Sequence, residues 1–269
     1  MFSKLLALAF IAVASVQATF LPILQHAHSP SSFQVLDGEP RGKIIEVAGV
    51  NTYVSLPCGE QKPKDEAIVL LTDVFGLPLV NNKLLADDFA AKGYAVFVPD
   101  YLNGDPAPAD DPNFNLTEWL TRHGPEKTLP PTHAVLGALR EQGVKKIGVT
   151  GYCFGGVYTT ILSQANEIEV AVMSHPSLFT IPDDVETLAT NSTVPVEIHS
   201  ADLDTILTPE LAKEVDVIFA GYSAGYQRFA YAGVGHGFAV RPENASDPVQ
   251  IEAKQLAFER AVSWFEEYL

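Results

Sequence analysis

A single cysteine stands between glycines in the stretch VTGYCFGG, residues 149–156. Around it, Gly151-Tyr152-Cys153-Phe154-Gly155 places one residue between the cysteine and each glycine. This spacing is typical of a sharp turn from a strand into a helix, where the glycines make room and the central side chain is a nucleophile. The partial positive charge at the helix N-terminus favours a thiolate there. We therefore predict that Cys153 is a catalytic nucleophile, at a position where serine is more common.

Two further side chains follow in the order that such a nucleophile requires, an acid and then a histidine. Asp204 comes after the run VPVEIHS, and His236 comes after FAYAGVG, between two glycines. A carboxylate there orients the imidazole, which takes and returns the proton of the nucleophile. We predict a triad of Cys153, Asp204 and His236. Asp202 is a rival for the acid, and Asp204 has the alternative role of a helix N-cap.

Attack on a carbonyl also requires N–H groups that stabilise the negative oxygen. The residue after the nucleophile, Phe154, should donate one N–H, and Val74 in LLTDVFG should donate the other from an earlier strand-end loop. Asp73 precedes Val74. We expect its carboxylate either to cap the local turn or to tune the Cys153 thiol or His236.

The segments that must position these residues alternate between strand and helix patterns. Apolar runs bounded by turn residues indicate buried strands, and spacing of three and four indicates helices. The pattern predicts a single α/β domain over residues 44–269, with a mostly parallel sheet and helices on both faces, after an irregular arm over 19–43. The predicted strands are KIIEVAGVNTYVSLP (a hairpin), EAIVLLTD, YAVFVPD, VKKIGVTGYC, IEVAVMSHPS, VPVEIHSADLD and YQRFAYAG; the predicted helices are NNKLLADDFAAKG, 131–143, GGVYTTILSQA, 208–222 and 249–269.

The N-terminus has the features of an export signal. Residues 1–18 carry one lysine, an apolar run from Leu5 to Val13 that is short for a membrane span, and a small-x-small end at Val16-Gln17-Ala18. A buried or membrane-spanning N-terminal helix is the alternative. Sequons for N-glycosylation begin at Asn115, Asn191 and Asn244. Together these features predict a cleaved signal peptide and a secreted, extracellular glycoprotein.

The composition argues against several classes of partner. The 269 residues carry a formal net charge of −16, so we expect no binding to nucleic acid or to an anionic membrane. The seven histidines show no spacing typical of metal ligands, so we expect no metal. The chain has two cysteines, and in a secreted protein a Cys58–Cys153 disulfide is the alternative to a free catalytic thiol.

Five segments in this order resemble the dienelactone hydrolases, the carboxymethylenebutenolidase-like proteins of the α/β-hydrolase fold, and most of all their fungal members. They are TDVFG, GYAVFVPDYLNGD, GYCFGG, SHPS and GHGFAVR. The resemblance covers residue 40 to the C-terminus. It implies a Cys-Asp-His triad at Cys153, Asp204 and His236, with no metal or organic cofactor, and the segment DLDTIL favours Asp204 over Asp202.

The chain departs from the family pattern at one position that concerns the thiol and at one that concerns the substrate. A glutamate that interacts with the resting thiol in the family is matched by the shorter Asp73. An arginine that holds the substrate carboxylate four residues after the catalytic histidine is matched by Val240, with Arg241 next, while Arg122 in WLTRHG is a further candidate. Other candidates for the substrate pocket are Tyr101, Phe75, Trp119, His175 and Phe238.

The predicted function is therefore a secreted hydrolase that cleaves an ester or lactone bond in a small molecule through a cysteine nucleophile. A thioesterase or peptidase on the same fold is one alternative. A secreted binding protein that has lost turnover is the other, and the intact Cys153, Asp204 and His236 argue against it. The sequence leaves the natural substrate and the oligomeric state open.

Overall fold

The computed structural model describes residues 33–58, 65–109, 111 and 113–269. The predicted signal peptide, residues 1–18, lies outside the described residues, as does the arm up to residue 32. The described part of the arm, residues 33–42, forms no helix or strand. It packs on the domain, where the N–H of Gln34 donates to the carbonyl of Pro242 and the N–H of Leu36 donates to the side chain of Asn81.

The described residues form one eight-stranded sheet in the order β1-β2-β4-β3-β5-β6-β7-β8. Strands β1 and β2 form an antiparallel hairpin, β2 pairs antiparallel with β4, and all pairs from β4 to β8 are parallel. The strands are β1 Lys43–Val47, β2 Val50–Ser55, β3 Glu66–Leu71, β4 Ala95–Pro99, β5 Lys146–Tyr152, β6 Val170–Ser174, β7 Val196–Ala201 and β8 Tyr226–Tyr231.

Helices cover both faces of this sheet. Gly148 and Gly151 lie three residues apart on β5 and so face opposite sides. A Cβ at Gly148 would meet the ring of Phe265 in the last helix, and a Cβ at Gly151 would meet Thr159 in the helix after β5. The helices are α1 Val80–Ala91, α2 Leu116–Arg122, α3 Pro125–Glu141, α4 Gly155–Gln164, α5 Asp183–Asn191, α6 Pro209–Ile218 and α7 Pro248–Tyr268.

The predicted fold class is confirmed: a mostly parallel sheet between two layers of helices, with the antiparallel hairpin at one edge. The central strands are continuous apolar runs because parallel strands are buried on both faces. Cys153, Asp204 and His236 follow the carboxyl ends of β5, β7 and β8. In open parallel sheets this is the edge at which ligands bind.

Helix α3 begins at Pro125, six residues before the predicted start at residue 131, and it contains Pro130 and Pro131. A proline lacks an N–H and normally breaks a helix, so a helix that continues through Pro130 and Pro131 is unusual. Pro131 leaves the carbonyl of Lys127 without its helical donor, and the side chain of Asn103 donates to that carbonyl at 2.9 Å. A loop distant in sequence thus stabilises the first turns of α3. The short helices α2 and α5 were not predicted.

No described helix has both the length and the apolar character needed to cross a membrane.

The packing of α7 on β5 yields a stability prediction. A methyl group at Gly148 would lie 2.5 Å from the Phe265 ring, which packs between Phe89 and Tyr94 and cannot easily move. We expect Gly148→Ala to lower the free energy of unfolding by about 1–3 kcal/mol, measured from urea denaturation curves.

The matched control is Gly137→Ala, on the exposed face of α3, where an added Cβ meets nothing within 4 Å. Since alanine favours a helix over glycine, this variant should gain about 0.5–1 kcal/mol. Equal effects of the two substitutions would contradict the close approach of α7 to β5.

Candidate active site

The backbone at Cys153 has the left-handed conformation of a tight turn, with φ of 52°. The chain leaves β5 at Tyr152 and enters α4 at Gly155. A Cβ at Gly155 would overlap the carbonyl of Leu71 at the end of β3, and one at Gly151 would overlap the Gly155 carbonyl and Thr159. The glycines are therefore required because α4 begins in backbone contact with two strands.

The Cys153 thiol is buried, and the loop after β6 holds it from one side. The N–H of Cys153 donates to the carbonyl of Ser174, and its own carbonyl accepts from the N–H of Ser177 at 3.0 Å. The Oγ of Ser177 lies 3.7 Å from the Sγ of Cys153. Cys58 is exposed and Cys153 is buried, and no disulfide joins them, so the alternative disulfide is not formed in this structure.

His236 and Asp204 are paired beside the thiol. Nδ1 of His236 lies 2.9 Å from Oδ2 of Asp204, and both side chains are buried. The other carboxylate oxygen of Asp204 accepts from the N–H of Ile206 at 2.8 Å, which fixes the carboxylate. The rival Asp202 is exposed, and its carboxylate accepts from the N–H of Gly233. Asp204 is therefore the acid that the structure brings to His236.

Charge interactions in this cluster favour a protonated His236. Burial lowers the pKa of His236, but attraction to Asp204 and Cys153 and hydrogen bonds to both outweigh burial and raise that pKa from 6.5 to about 9. At neutral pH the imidazole is therefore positively charged. Its neighbours are a carboxylate on one side and a sulfur atom that can carry negative charge on the other.

Two backbone N–H groups at the strand ends are buried and have no acceptor among the described residues, as a site for a negatively charged oxygen requires. Phe154 and Val74, the two predicted donors, are buried. Within the part of the chain that the structure describes, neither N–H donates a hydrogen bond. Buried N–H groups without acceptors are rare in proteins. This pair is consistent with a site for a ligand oxygen, and the N–H of Phe154 lies at the N-terminus of α4.

Asp73 is bound by partners other than the thiol. Its Oδ2 accepts from Nε of Arg241 at 2.9 Å, and its Oδ1 accepts from the side chain of Asn82 and from the N–H of Phe75. Burial raises the pKa of the Asp73 carboxyl, and the nearby Arg241 opposes this effect. Asp73 thus caps its turn, as one interpretation predicted, and the nearby Cys153 is a further cause of its raised pKa.

Arg241 is consequently a buried partner of Asp73. Its guanidinium lies 5.4 Å from the ring centres of both Phe33 and Phe75. The other arginine candidate, Arg122, lies on the surface of α2 and contacts Asp105 and Glu118 at 3.4 Å. The structure does not bring the Arg122 guanidinium to the triad, and its role in substrate binding stays a prediction.

The aromatic side chains predicted to line the pocket are buried supports of the site. Tyr101 stacks on Phe154, and its hydroxyl donates to the carbonyl of Thr72. Trp119 also packs edge-on against Phe154 and donates to the carbonyl of Asp105. These contacts fix the position of Phe154, the predicted oxyanion donor.

His175 and Phe238 pack around His236 in the same way. The His175 ring packs edge-on against His236 and Phe238, at centroid distances of 5.0 and 5.7 Å. Burial and the nearby charges of His236 and Arg241 hold the pKa of His175 well below 6.5. His175 is therefore neutral, which avoids repulsion of a protonated His236.

Sequence reasoning missed Ser177. It lies in the segment SHPS, two residues after the buried His175, and the only available signal was its position just after a strand end. Within the described residues there is no cluster of three or more histidine, cysteine or carboxylate side chains that would hold a metal ion.

A model of the dienelactone hydrolase family matches residues 50–269, so the chain belongs to this family of hydrolases. Among its relatives, a hydrolase of Aspergillus violaceofuscus named pyvD is 37% identical over 87% of this chain and 93% of that protein. Dienlactone hydrolase 1 of Gibberella moniliformis is 29% identical over 86% of this chain and 90% of that protein. The predicted family resemblance is confirmed, including the likeness to fungal proteins.

A solved structure supports the same fold. A Klebsiella pneumoniae protein assigned as a dienelactone hydrolase superposes with a TM-score of 0.68 at 20% identity, over 81% of this chain and 93% of that one.

The pairing of His236 with Asp204 yields a prediction about proton affinity. We expect Asp204→Asn to lower the pKa of His236 by about one to three pH units, because an adjacent negative charge is lost. Asp202→Asn removes a carboxylate two residues away that accepts a hydrogen bond from Gly233 and does not pair with His236. This variant should leave the pKa of His236 unchanged. An NMR titration of the His236 ring in each variant measures this, and equal shifts would contradict the assigned pairing.

Proposed function

We propose that the protein hydrolyses an ester or lactone bond through an acyl-enzyme on Cys153, with His236 as the acid and base and Asp204 as its orienting carboxylate. The observation that carries this proposal is the 2.9 Å contact between His236 and Asp204 beside a buried thiol in a left-handed turn. Membership of the dienelactone hydrolase family and the two unused N–H groups support it.

In the first half-reaction, the thiolate of Cys153 attacks the carbonyl carbon and forms the S–C bond. The electron pair of the carbonyl moves onto its oxygen, which accepts from the N–H groups of Phe154 and Val74. When the intermediate collapses, the C–O bond to the alcohol breaks. The protonated His236 gives its proton to the departing oxygen, and a neutral thioester remains.

The loss of negative charge at sulfur assists this proton transfer. The charge of Cys153 and its hydrogen bond are two of the causes that raise the pKa of His236. Both weaken as the thioester forms, so the pKa of His236 falls and the imidazolium becomes a stronger acid. After it gives up its proton, a neutral imidazole remains to act as the base. It then takes a proton from water, the hydroxide attacks the thioester, and the thiolate leaves. A thioester must be hydrolysed in each cycle, so esters with good leaving groups, such as enol lactones, are the expected substrates.

Cys153→Ala should abolish the hydrolysis of p-nitrophenyl acetate and of a dienelactone, by at least about 1000-fold in kcat/KM, because the covalent route is lost. Cys58→Ala removes an exposed thiol and should retain full activity. Rapid quenching with p-nitrophenyl acetate followed by mass spectrometry should place the acetyl group on the Cys153 peptide.

Two results would contradict the proposal. Full activity in Cys153→Ala would exclude the cysteine as the nucleophile. An inactive wild-type protein whose Cys153 does not react with a thiol probe would favour the binding-protein alternative.

We further propose that the enzyme is exported and glycosylated, on the evidence of residues 1–18 and the three sequons. Asn115, Asn191 and Asn244 are exposed, as glycan acceptors must be.

Expressed in a fungal host, the full chain should appear in the medium with a mass that N-glycosidase lowers, and deletion of residues 2–18 should retain it in the cells. Thr117→Ala removes one sequon while leaving Asn115 as the N-cap of α2, where its side chain accepts from the N–H of Glu118. This variant should lose one glycan without loss of folding. Secretion of the deleted chain would contradict the signal peptide.

A further inference from the structure

An apolar cleft lies next to the candidate site, between the loop after β6 and the start of α6. Its walls are residues 176–181 of that loop, together with Ile206, Leu207 and Leu211. Its cavity volume is about 60 Å³, which is room for a short chain of a few atoms.

Both walls of the cleft are anchored to the triad. Ser177 lies on one wall, and its Oγ is 3.7 Å from the Cys153 sulfur. Ile206 lies on the other wall, and its N–H donates to the Asp204 carboxylate. The side chain of Ser177 therefore touches both the sulfur and the cleft.

The cleft walls carry no charge among the described residues. The polar groups there are the hydroxyls of Ser177 and Thr180, and the rest is aliphatic or aromatic apart from backbone. The Thr180 hydroxyl is buried without a hydrogen-bond partner. A buried carboxylate needs a cation or several donors, so this cleft suits an apolar group with at most a small neutral polar substituent.

The two arginines predicted as candidates to hold a substrate carboxylate are paired with other residues. Arg241 is buried against Asp73, and Arg122 contacts Asp105 and Glu118 at the surface. The net charge of −16 adds a general repulsion of anionic substrates. Both observations disfavour small lactones that carry a carboxylate.

We infer that this apolar cleft binds the acyl part of the substrate and that the enzyme acts on neutral esters or lactones with an apolar acyl group. The inference rests on the proposed function, because it is the acyl part that stays bonded to Cys153 after the alcohol leaves. It adds the substrate class to the reaction.

The test is a series of p-nitrophenyl esters with acetyl, butyryl and hexanoyl groups, together with the succinyl ester, which ends in a carboxylate. We expect kcat/KM to rise by up to roughly fourfold for each methylene added between acetate and butyrate. The succinyl ester should react at least tenfold more slowly than the butyryl ester.

Two substitutions in α6 test whether the cleft causes the preference for longer acyl groups. Leu211→Trp fills the cleft and should reduce the butyrate-to-acetate ratio of kcat/KM to near one while acetate turnover is retained. Val217→Trp adds the same side chain at a 74% exposed position of the same helix and should leave the ratio unchanged. If Leu211→Trp does not fold, Leu211→Ala widens the cleft and should shift the preference toward hexanoate.

The outcomes separate the two proposals. Absence of acetate hydrolysis by the wild-type enzyme would overturn the proposed function. Acetate hydrolysis with a flat chain-length series, with a preference for the succinyl ester, or with equal effects of the two tryptophan variants would overturn the cleft assignment alone.

Discussion

The left-handed backbone at Cys153 is the constraint on which the rest of the site depends. A non-glycine residue in this conformation costs on the order of 1–3 kcal/mol, so the surrounding structure must hold it. The N–H of Cys153 and its carbonyl are both bound by backbone at the end of β6 and in the loop after it. The turn also places Cys153 directly before the N-terminus of α4, where Phe154 is the first flanking residue. The glycines at 151 and 155 exist because α4 must begin against β3 to make this turn.

The loop after β8 joins the two buried charge pairs of the site. His236 pairs with Asp204 after β7, and five residues later Arg241 pairs with Asp73 after β3. Burial of charges is expensive unless each is paired and hydrogen-bonded, and loss of one partner leaves the other charge uncompensated. The loop is therefore fixed at both ends to opposite parts of the sheet. This arrangement gives His236 a defined position beside Cys153 without a regular element at that point.

The second of these pairs also changes what the site can recognise. An arginine close to the nucleophile would ordinarily attract an anionic substrate, but Arg241 is neutralised by Asp73 and covered by two aromatic rings. Ser177, which contacts the thiol, also lines the apolar cleft. The proposed choice of neutral, apolar substrates rests on two features, the pairing of Arg241 with Asp73 and this cleft.

Local patterns in the sequence determined the sheet, most helices and the order of the reactive residues, because apolar periodicity and glycine spacing act over a few neighbours. The run EAIVLLTD had to be a buried strand, and GYCFG had to be a tight turn between strand and helix. Family likeness added the identity of the acid, which spacing alone left between Asp202 and Asp204.

Only the tertiary structure decided contacts between distant segments. Asp73 and Arg241 are separated by 168 residues, so no local pattern shows that they neutralise each other. The start of α3 depends on a hydrogen bond from Asn103 to a carbonyl that a proline leaves open. The apolar cleft forms from two loops that follow different strands. Each of these features arises from packing of side chains far apart in the chain, and that packing exists only once the sheet has assembled.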